Sequence, residues 1–98
     1  MINRQTLFQR SSVVLASDLS HSIVLMNLQK GSYLSLNETA AEIWRALEHP
    51  GSGAELTRHL CTKFLVDEAQ CEEKVDRFLE TLLRHEVITP LVTAQEMQ

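Results

Sequence analysis

The chain has 98 residues, 44% of them hydrophobic, and a formal net charge of −4. That length supports one modest core and no more. The acidic balance argues against a protein that grips nucleic acid through a basic surplus.

The opening MINRQTLFQRSSVVLASD lacks the unbroken apolar core of a signal peptide. The longest apolar runs, VVLA and IVLM, fall far short of the roughly 18 residues that span a bilayer. A cytoplasmic protein without a membrane span is the expectation, with Cys61 and Cys71 as reduced thiols rather than a bridge.

Residues 1–11 are polar and aperiodic, which predicts a flexible N-terminal arm. Ser12–Ser17 and Ser22–Leu28 are short, rich in β-branched residues and bounded by polar turns, as strands are. Asp18-Leu19-Ser20-His21 suits a hairpin loop between them. Gln29-Lys30-Gly31 suits a three-residue turn, with Gly31 in the left-handed conformation. Ser32–Leu36 follows as a third strand, with Leu34 and Leu36 on one face and Tyr33 and Ser35 on the other. Consecutive hairpins make a meander, so this third strand lies at an edge.

Asn37 is a good N-cap, and Leu36 before it can staple onto Ala41. Ala40, Ile43, Trp44 and Leu47 then recur at helical spacing. His49-Pro50-Gly51 ends that helix. Ser52 with Glu55 forms a capping box for a second helix, with Leu56, Leu60, Phe64 and Leu65 on its buried stripe. Asp67 with Gln70 repeats the device for a third, longer helix. Its apolar face is Cys71, Val75, Phe78, Leu79, Leu82 and Leu83, and Glu73–Arg77 and Glu80–Arg84 are i,i+4 pairs on its exposed side. Val87–Leu91 adds a short extended piece stopped by Pro90, and residues 92–98 read as a frayed tail. The predicted architecture is α+β and winged-helix-like: a three-stranded antiparallel sheet followed by three helices, in one domain over residues 12–91.

Catalytic motifs are missing. No G-x-S-x-G elbow, P-loop or dinucleotide fingerprint occurs. His59 precedes Cys61 by two residues, which on a helix turns the two side chains about 160° apart. Cys61, Cys71, His59 and His85 lack metal-ligand spacing. An enzyme is therefore not expected, nor a cofactor. As a DNA reader, the chain would offer a recognition helix opening Asp67-Glu68-Ala69-Gln70-Cys71-Glu72-Glu73, whose acids repel phosphates. An edge strand, by contrast, has unpaired N–H and C=O groups that an extended peptide can satisfy.

The segment LMNLQKGSYLSLNETAAEIWRAL, with its G-x-Y-x-x-L-N turn and strand followed by T-A-A-x-I-W, resembles the PqqD-like family. The likeness continues through AELTRHLCTKFLVD and VDRFLETLL and covers roughly residues 12 to 90. It implies a RiPP recognition element, a chaperone that binds the leader segment of a ribosomal precursor peptide. Such a protein presents its cargo to a radical S-adenosylmethionine enzyme in pyrroloquinoline quinone biosynthesis, or to a leader peptidase in lasso-peptide pathways. On this chain the resemblance implies a peptide groove with Ser32, Tyr33, Leu34 and Ser35 on one wall. The other wall would be Lys74, Val75, Arg77, Phe78 and Leu82. One departure is that the family's Gly closing the third helix is replaced here by His85-Glu86. Other readings are a winged-helix DNA-binding regulator, a structural subunit of a larger enzyme, and a homodimer formed through open edge strands.

Overall fold

A computed structural model describes residues 4–64 and 67–91. Six strands and three helices follow in the order β1 (Leu7–Arg10), β2 (Val14–Asp18), β3 (Ile23–Asn27), β4 (Ser32–Leu36), α1 (Glu38–Ala46), β5 (Gly51–Ser52), α2 (Gly53–Phe64), α3 (Glu68–Arg84) and β6 (Ile88–Pro90). The expected meander is present. β2, β3 and β4 form an antiparallel sheet in that order, so β4 lies at one edge and β2 at the other. Ile23, Leu25 and Leu36 turn inward and are buried, while Tyr33 and Ser35 turn outward.

The β3–β4 connection is a residue longer than its composition suggests. Asn27 pairs with Ser32, leaving Leu28–Gly31 as a four-residue loop, with Gly31 at φ 70°. The extra residue follows from the Asn27 side chain. Its Oδ1 accepts from the N–H of both Gln29 and Lys30, each at 3.0 Å, which bends the chain before the glycine.

Each helix opens on the cap that its sequence announces. Asn37 accepts from the Ala40 N–H at 2.9 Å and starts α1. Ser52 and Glu55 exchange side-chain-to-backbone bonds of 3.0 and 3.2 Å and start α2. Asp67 accepts from the Gln70 N–H at 3.3 Å and starts α3. The helices bury Ala41, Ile43 and Trp44 of α1, Leu56 and Leu60 of α2, and Cys71, Val75, Leu79 and Leu82 of α3 against the inner face of the sheet and against one another.

The end of α3 answers the missing glycine. Glu86 takes the left-handed conformation (φ 57°) that glycine usually supplies. Its N–H reaches Leu83 O at 3.0 Å, and the Val87 N–H reaches Leu82 O at 3.1 Å, closing a Schellman motif. Asn27 Nδ2 donates to His85 O at 3.0 Å, and Lys30 Nζ pairs with Glu86 at 2.6 Å. The helix ends at Arg84 with its last turn tied down by side chains of the β3–β4 turn.

The flexible arm expected over residues 1–11 is corrected for its described part. Leu7–Arg10 is the middle strand of a second sheet, ordered β5-β1-β6. Phe8, 2% exposed, enters the core, and Arg4 clamps the helices from outside. Its guanidinium pairs with Asp76 at 2.6 Å and donates to Thr57 Oγ1 at 2.6 Å and to Gly53 O at 3.2 Å. Pro90 sits on edge strand β6, where the lack of an N–H is tolerated. Leu65, expected on the α2 stripe, and the tail 92–98 lie outside the described residues.

Candidate functional site

β4 ends on Asn37, so the last residue of the edge strand leads directly into the first turn of α1. Beside this junction, the N-terminal half of α1 and the middle of α3 enclose a cavity of about 260 Å³. Asn37, Thr39, Ala40 and Ile43 line it from α1, and Lys74 and Phe78 from α3. The cavity therefore lies at the end of an open strand edge and is lined by both apolar and polar side chains.

The structure divides the residues assigned to the groove. Ser32 and Leu34 are half-buried and share the inner face of β4, while Tyr33 (65% exposed) and Ser35 face solvent. Lys74 and Phe78 meet at the cavity. Among the described residues the Lys74 ammonium has no ion-pair partner, whereas Arg77 is engaged by Glu73 one turn earlier. Val75 and Leu82 are corrected. Both are wholly excluded from solvent and belong to the core, because the third helix turns them toward the sheet and α2. They offer no surface to a guest.

The α1 wall was not read from the sequence. Thr39, Ala40 and Ile43 fall in the T-A-A-x-I-W run, whose period marks a core-facing helix. Only the placement of Lys74 and Phe78 of α3 on the opposite wall turns part of that face into a cavity lining. The available signal was the helix cap itself, since a cap next to an edge strand places the first turn of α1 beside the edge.

The shifted titratable groups lie away from this cavity. Arg45 donates to Asp18 at 2.8 and 3.1 Å on the far edge of the sheet and holds its carboxyl down at about 2. His59 and Lys63 of α2 hold the Glu42 carboxyl below its usual range. Desolvation and the neighbouring Cys71 push the Cys61 thiol up to about 11. The cavity lining holds one ammonium, one amide, one hydroxyl and apolar surface, with no carboxylate, imidazole or thiol. Such a set can hold a side chain and orient it. Among the described residues no cluster of three or more His, Cys, Asp or Glu could hold a metal ion, and no helix is long and apolar enough to cross a membrane.

A scan against family models matches residues 22–88 to the family described as coenzyme PQQ synthesis protein D (PqqD). The match spans more than half of the chain, from β3 to the first residue of β6, and the chain belongs to this family. No curated protein matches the sequence. Two solved structures are similar. One is TbiB1 in complex with the TbiA(beta) leader peptide, at 26% identity and a TM-score of 0.79, covering 87% of this chain and 99% of that one. The other is lasso peptide synthetase B1 complexed with the leader peptide, at 24% identity and a TM-score of 0.72, covering 85% and 98%. The second likeness concerns the fold.

Proposed function

We propose that this protein is a RiPP recognition element, which binds the leader segment of a ribosomally made precursor peptide and presents it to a processing enzyme. The observation that carries this reading is the placement of an open strand edge, β4, directly beside the cavity between α1 and α3. Membership of the PqqD family and the likeness to TbiB1, which is described in complex with a leader peptide, support it. The leader adds as a further strand along Ser32–Ser35. Its inward side chains reach the cavity over Phe78, with Lys74 at the rim.

The magnitudes suit a carrier that must release its cargo. About four main-chain hydrogen bonds contribute about 0.5–1.5 kcal/mol each. Two apolar anchors add about 1.5–3 kcal/mol each. Ordering the leader costs about 2–5 kcal/mol, and association itself costs more. At the favourable end of these ranges the surplus is about 6 kcal/mol, an affinity of about tens of micromolar.

On this reading the chain performs no chemistry of its own, works in the cytoplasm, and serves a radical S-adenosylmethionine enzyme or a leader peptidase. The alternative, a winged-helix DNA-binding regulator, is disfavoured by Glu68, Glu72 and Glu73 along the first turns of α3. Calorimetry with a synthetic leader is the test. Phe78→Ala should weaken binding about ten- to a hundredfold, the equivalent of one lost apolar anchor. Ala40→Phe, which fills the cavity from the other wall, should weaken it similarly, with the melting temperature of each variant checked as a folding control. Unchanged leader affinity in both variants would place the groove elsewhere. Binding to generic duplex DNA that weakens steeply with salt would favour the regulator.

A further inference from the structure

The opposite edge of the meander, β2, carries a second cavity, of about 400 Å³. Ala16 and Asp18 of β2, Trp44 and Arg45 of α1, and Arg10 of β1 line it. Arg45 is engaged there by Asp18, at 2.8 and 3.1 Å. Arg10 is not matched in this way. Its guanidinium lies 4.5 Å over the Trp44 ring and Nη2 donates to Trp44 O at 2.6 Å. Its Nε is the one buried side-chain polar atom among the described residues that lacks a hydrogen-bond partner. Burial lowers the Arg10 pKa, and the exposed Glu48, which also lines the cavity, counters this only through space.

The backbone beside this cavity is open as well. Antiparallel pairing bonds alternate residues. Val13 and Leu19 are bonded toward the β3 side, through Leu28 N–H to Val13 O and Leu19 N–H to Ser22 O, each at 2.8 Å. Val14, Ala16 and Asp18 therefore aim N–H and C=O away from the sheet, along its free edge. Their side chains share the inner face with Ile23 and Leu25, but Ala16 and Asp18 are exposed where those two are buried. A strand laid on this edge would set every second side chain over the cavity.

We propose that β2 is a second strand-addition site, for an extended peptide segment whose carboxylate side chain enters the cavity and binds Arg10. The inference goes beyond the leader-binding reading and does not depend on it, since β2 and β4 are opposite edges of the sheet. The chemistry selects the occupant. A guanidinium is a planar fork of N–H donors that matches a carboxylate and keeps its charge when desolvated. Asp18 is already committed to Arg45, and Glu48 makes no hydrogen bond to Arg10, so the matching carboxylate comes from outside. A free anion would satisfy Arg10 but leave the edge N–H and C=O groups of β2 to water. A peptide strand satisfies both at once. Ala16 has the smallest side chain of β2 and leaves room for the entering group.

The probe is a blocked heptapeptide, Thr-Val-Thr-Glu-Thr-Val-Thr, which as a strand turns Glu and Val to one face; a version with Gln for Glu is run beside it. Backbone and arginine Nε–H resonances of the full-length protein are followed by NMR as each peptide is titrated into the millimolar range. The Glu peptide should shift Val14, Ala16, Asp18 and the Arg10 Nε–H together, and the Gln peptide should bind about fivefold or more weakly. Arg10→Lys keeps the charge and loses the fork, and should weaken the Glu peptide about fivefold or more. Ala16→Pro removes an N–H that faces away from the sheet, so the ladder to β3 should survive while peptide binding is lost. Glu48→Gln removes a competing charge and should tighten the Glu peptide about twofold or more. The comparison of Glu with Gln peptide needs no variant and decides the matter even if one of these fails to fold. Sodium acetate that shifts Arg10 as strongly as the Glu peptide, in Ala16→Pro as in the wild type, would assign the cavity to small anions and overturn the strand. Shifts confined to β4 and the cavity between α1 and α3 would place the probe in the proposed leader groove. Shifts of β2 on concentrating the protein alone would give the edge to a second copy. Either result overturns the proposal, as does the absence of any shift at β2 with the Glu peptide.

Discussion

Asn27 carries more of this molecule than its position on a strand suggests. It is 2% exposed, and its side chain joins the turn before β4 to the end of α3. Asn27→Ala would strip partners from two turn N–H groups and from the His85 carbonyl. The expected loss is about 2–3 kcal/mol in urea unfolding. Glu86 is the opposite case, a residue that its own backbone disfavours. A left-handed non-glycine conformation costs roughly 1–2 kcal/mol, while the exposed Lys30–Glu86 pair returns about 0–1 kcal/mol. Glu86→Gly should therefore raise stability by up to about 2 kcal/mol, and a fall would mean that the ion pair outweighs the backbone strain. That the family's glycine was missing could be read from the sequence. That Asn27 and Lys30, more than fifty residues earlier, take over its work could not, because nothing local links those positions.

Among the elements, the meander and the three helices are legible because each has its own period and its own cap. IVLM, SYLSL and the T-A-A-x-I-W run each settle their conformation with near neighbours. β1 is different. Its four residues, LFQR, alternate too briefly to announce a strand, and their partners lie at Gly51–Ser52 and Ile88–Pro90. Such a strand exists only once the distant chain has assembled around it, so reading residues 1–11 as a loose arm was natural and wrong for Leu7–Arg10. The consequence is testable. A loose arm would tolerate Phe8→Ala without effect, whereas a core position at 2% exposure should lose about 3–5 kcal/mol. Denaturant unfolding distinguishes the two outcomes. Arg10 adds a further tie, with its guanidinium 4.5 Å over the Trp44 ring and Nη2 donating to Trp44 O at 2.6 Å.

Across the whole molecule, the candidate site was legible as an edge and a facing helix but not as a cavity. The edge follows from hairpin order alone. The cavity depends on how the fold sets α3 opposite α1, and the sequence assigns Ile43 and Phe78 only to apolar faces, without saying which atoms leave a gap between them. Charge behaves globally in a similar way. Asp18 has its folded pKa lowered to about 2 from an ordinary 3.8 by Arg45 and the Ser20 N–H, and Glu42 is lowered as well. A lowered carboxyl contributes stability above its ordinary value and loses it as pH falls toward the folded one. The melting temperature should therefore drop between about pH 4 and pH 2, and less steeply in Asp18→Asn. Equal slopes would mean that the Asp18–Arg45 pair contributes nothing in solution. The thiols follow from burial in the same manner. With Cys61 at about 11 and Cys71 buried, a thiol reagent should react slowly at neutral pH and faster as pH rises.

The second sheet also decides how the domain answers to force. β1 and β6 are antiparallel, and the Leu91 N–H donates to Leu7 O at 2.7 Å, so the two ends of the described fold leave it side by side. A pull applied through residues 4 and 91 meets that ladder end-on and breaks its hydrogen bonds one after another, never all at once. The domain should open like a zipper, at low load, from the β5–β1–β6 sheet. The strand edge on the β2–β3–β4 sheet stays outside the line of tension.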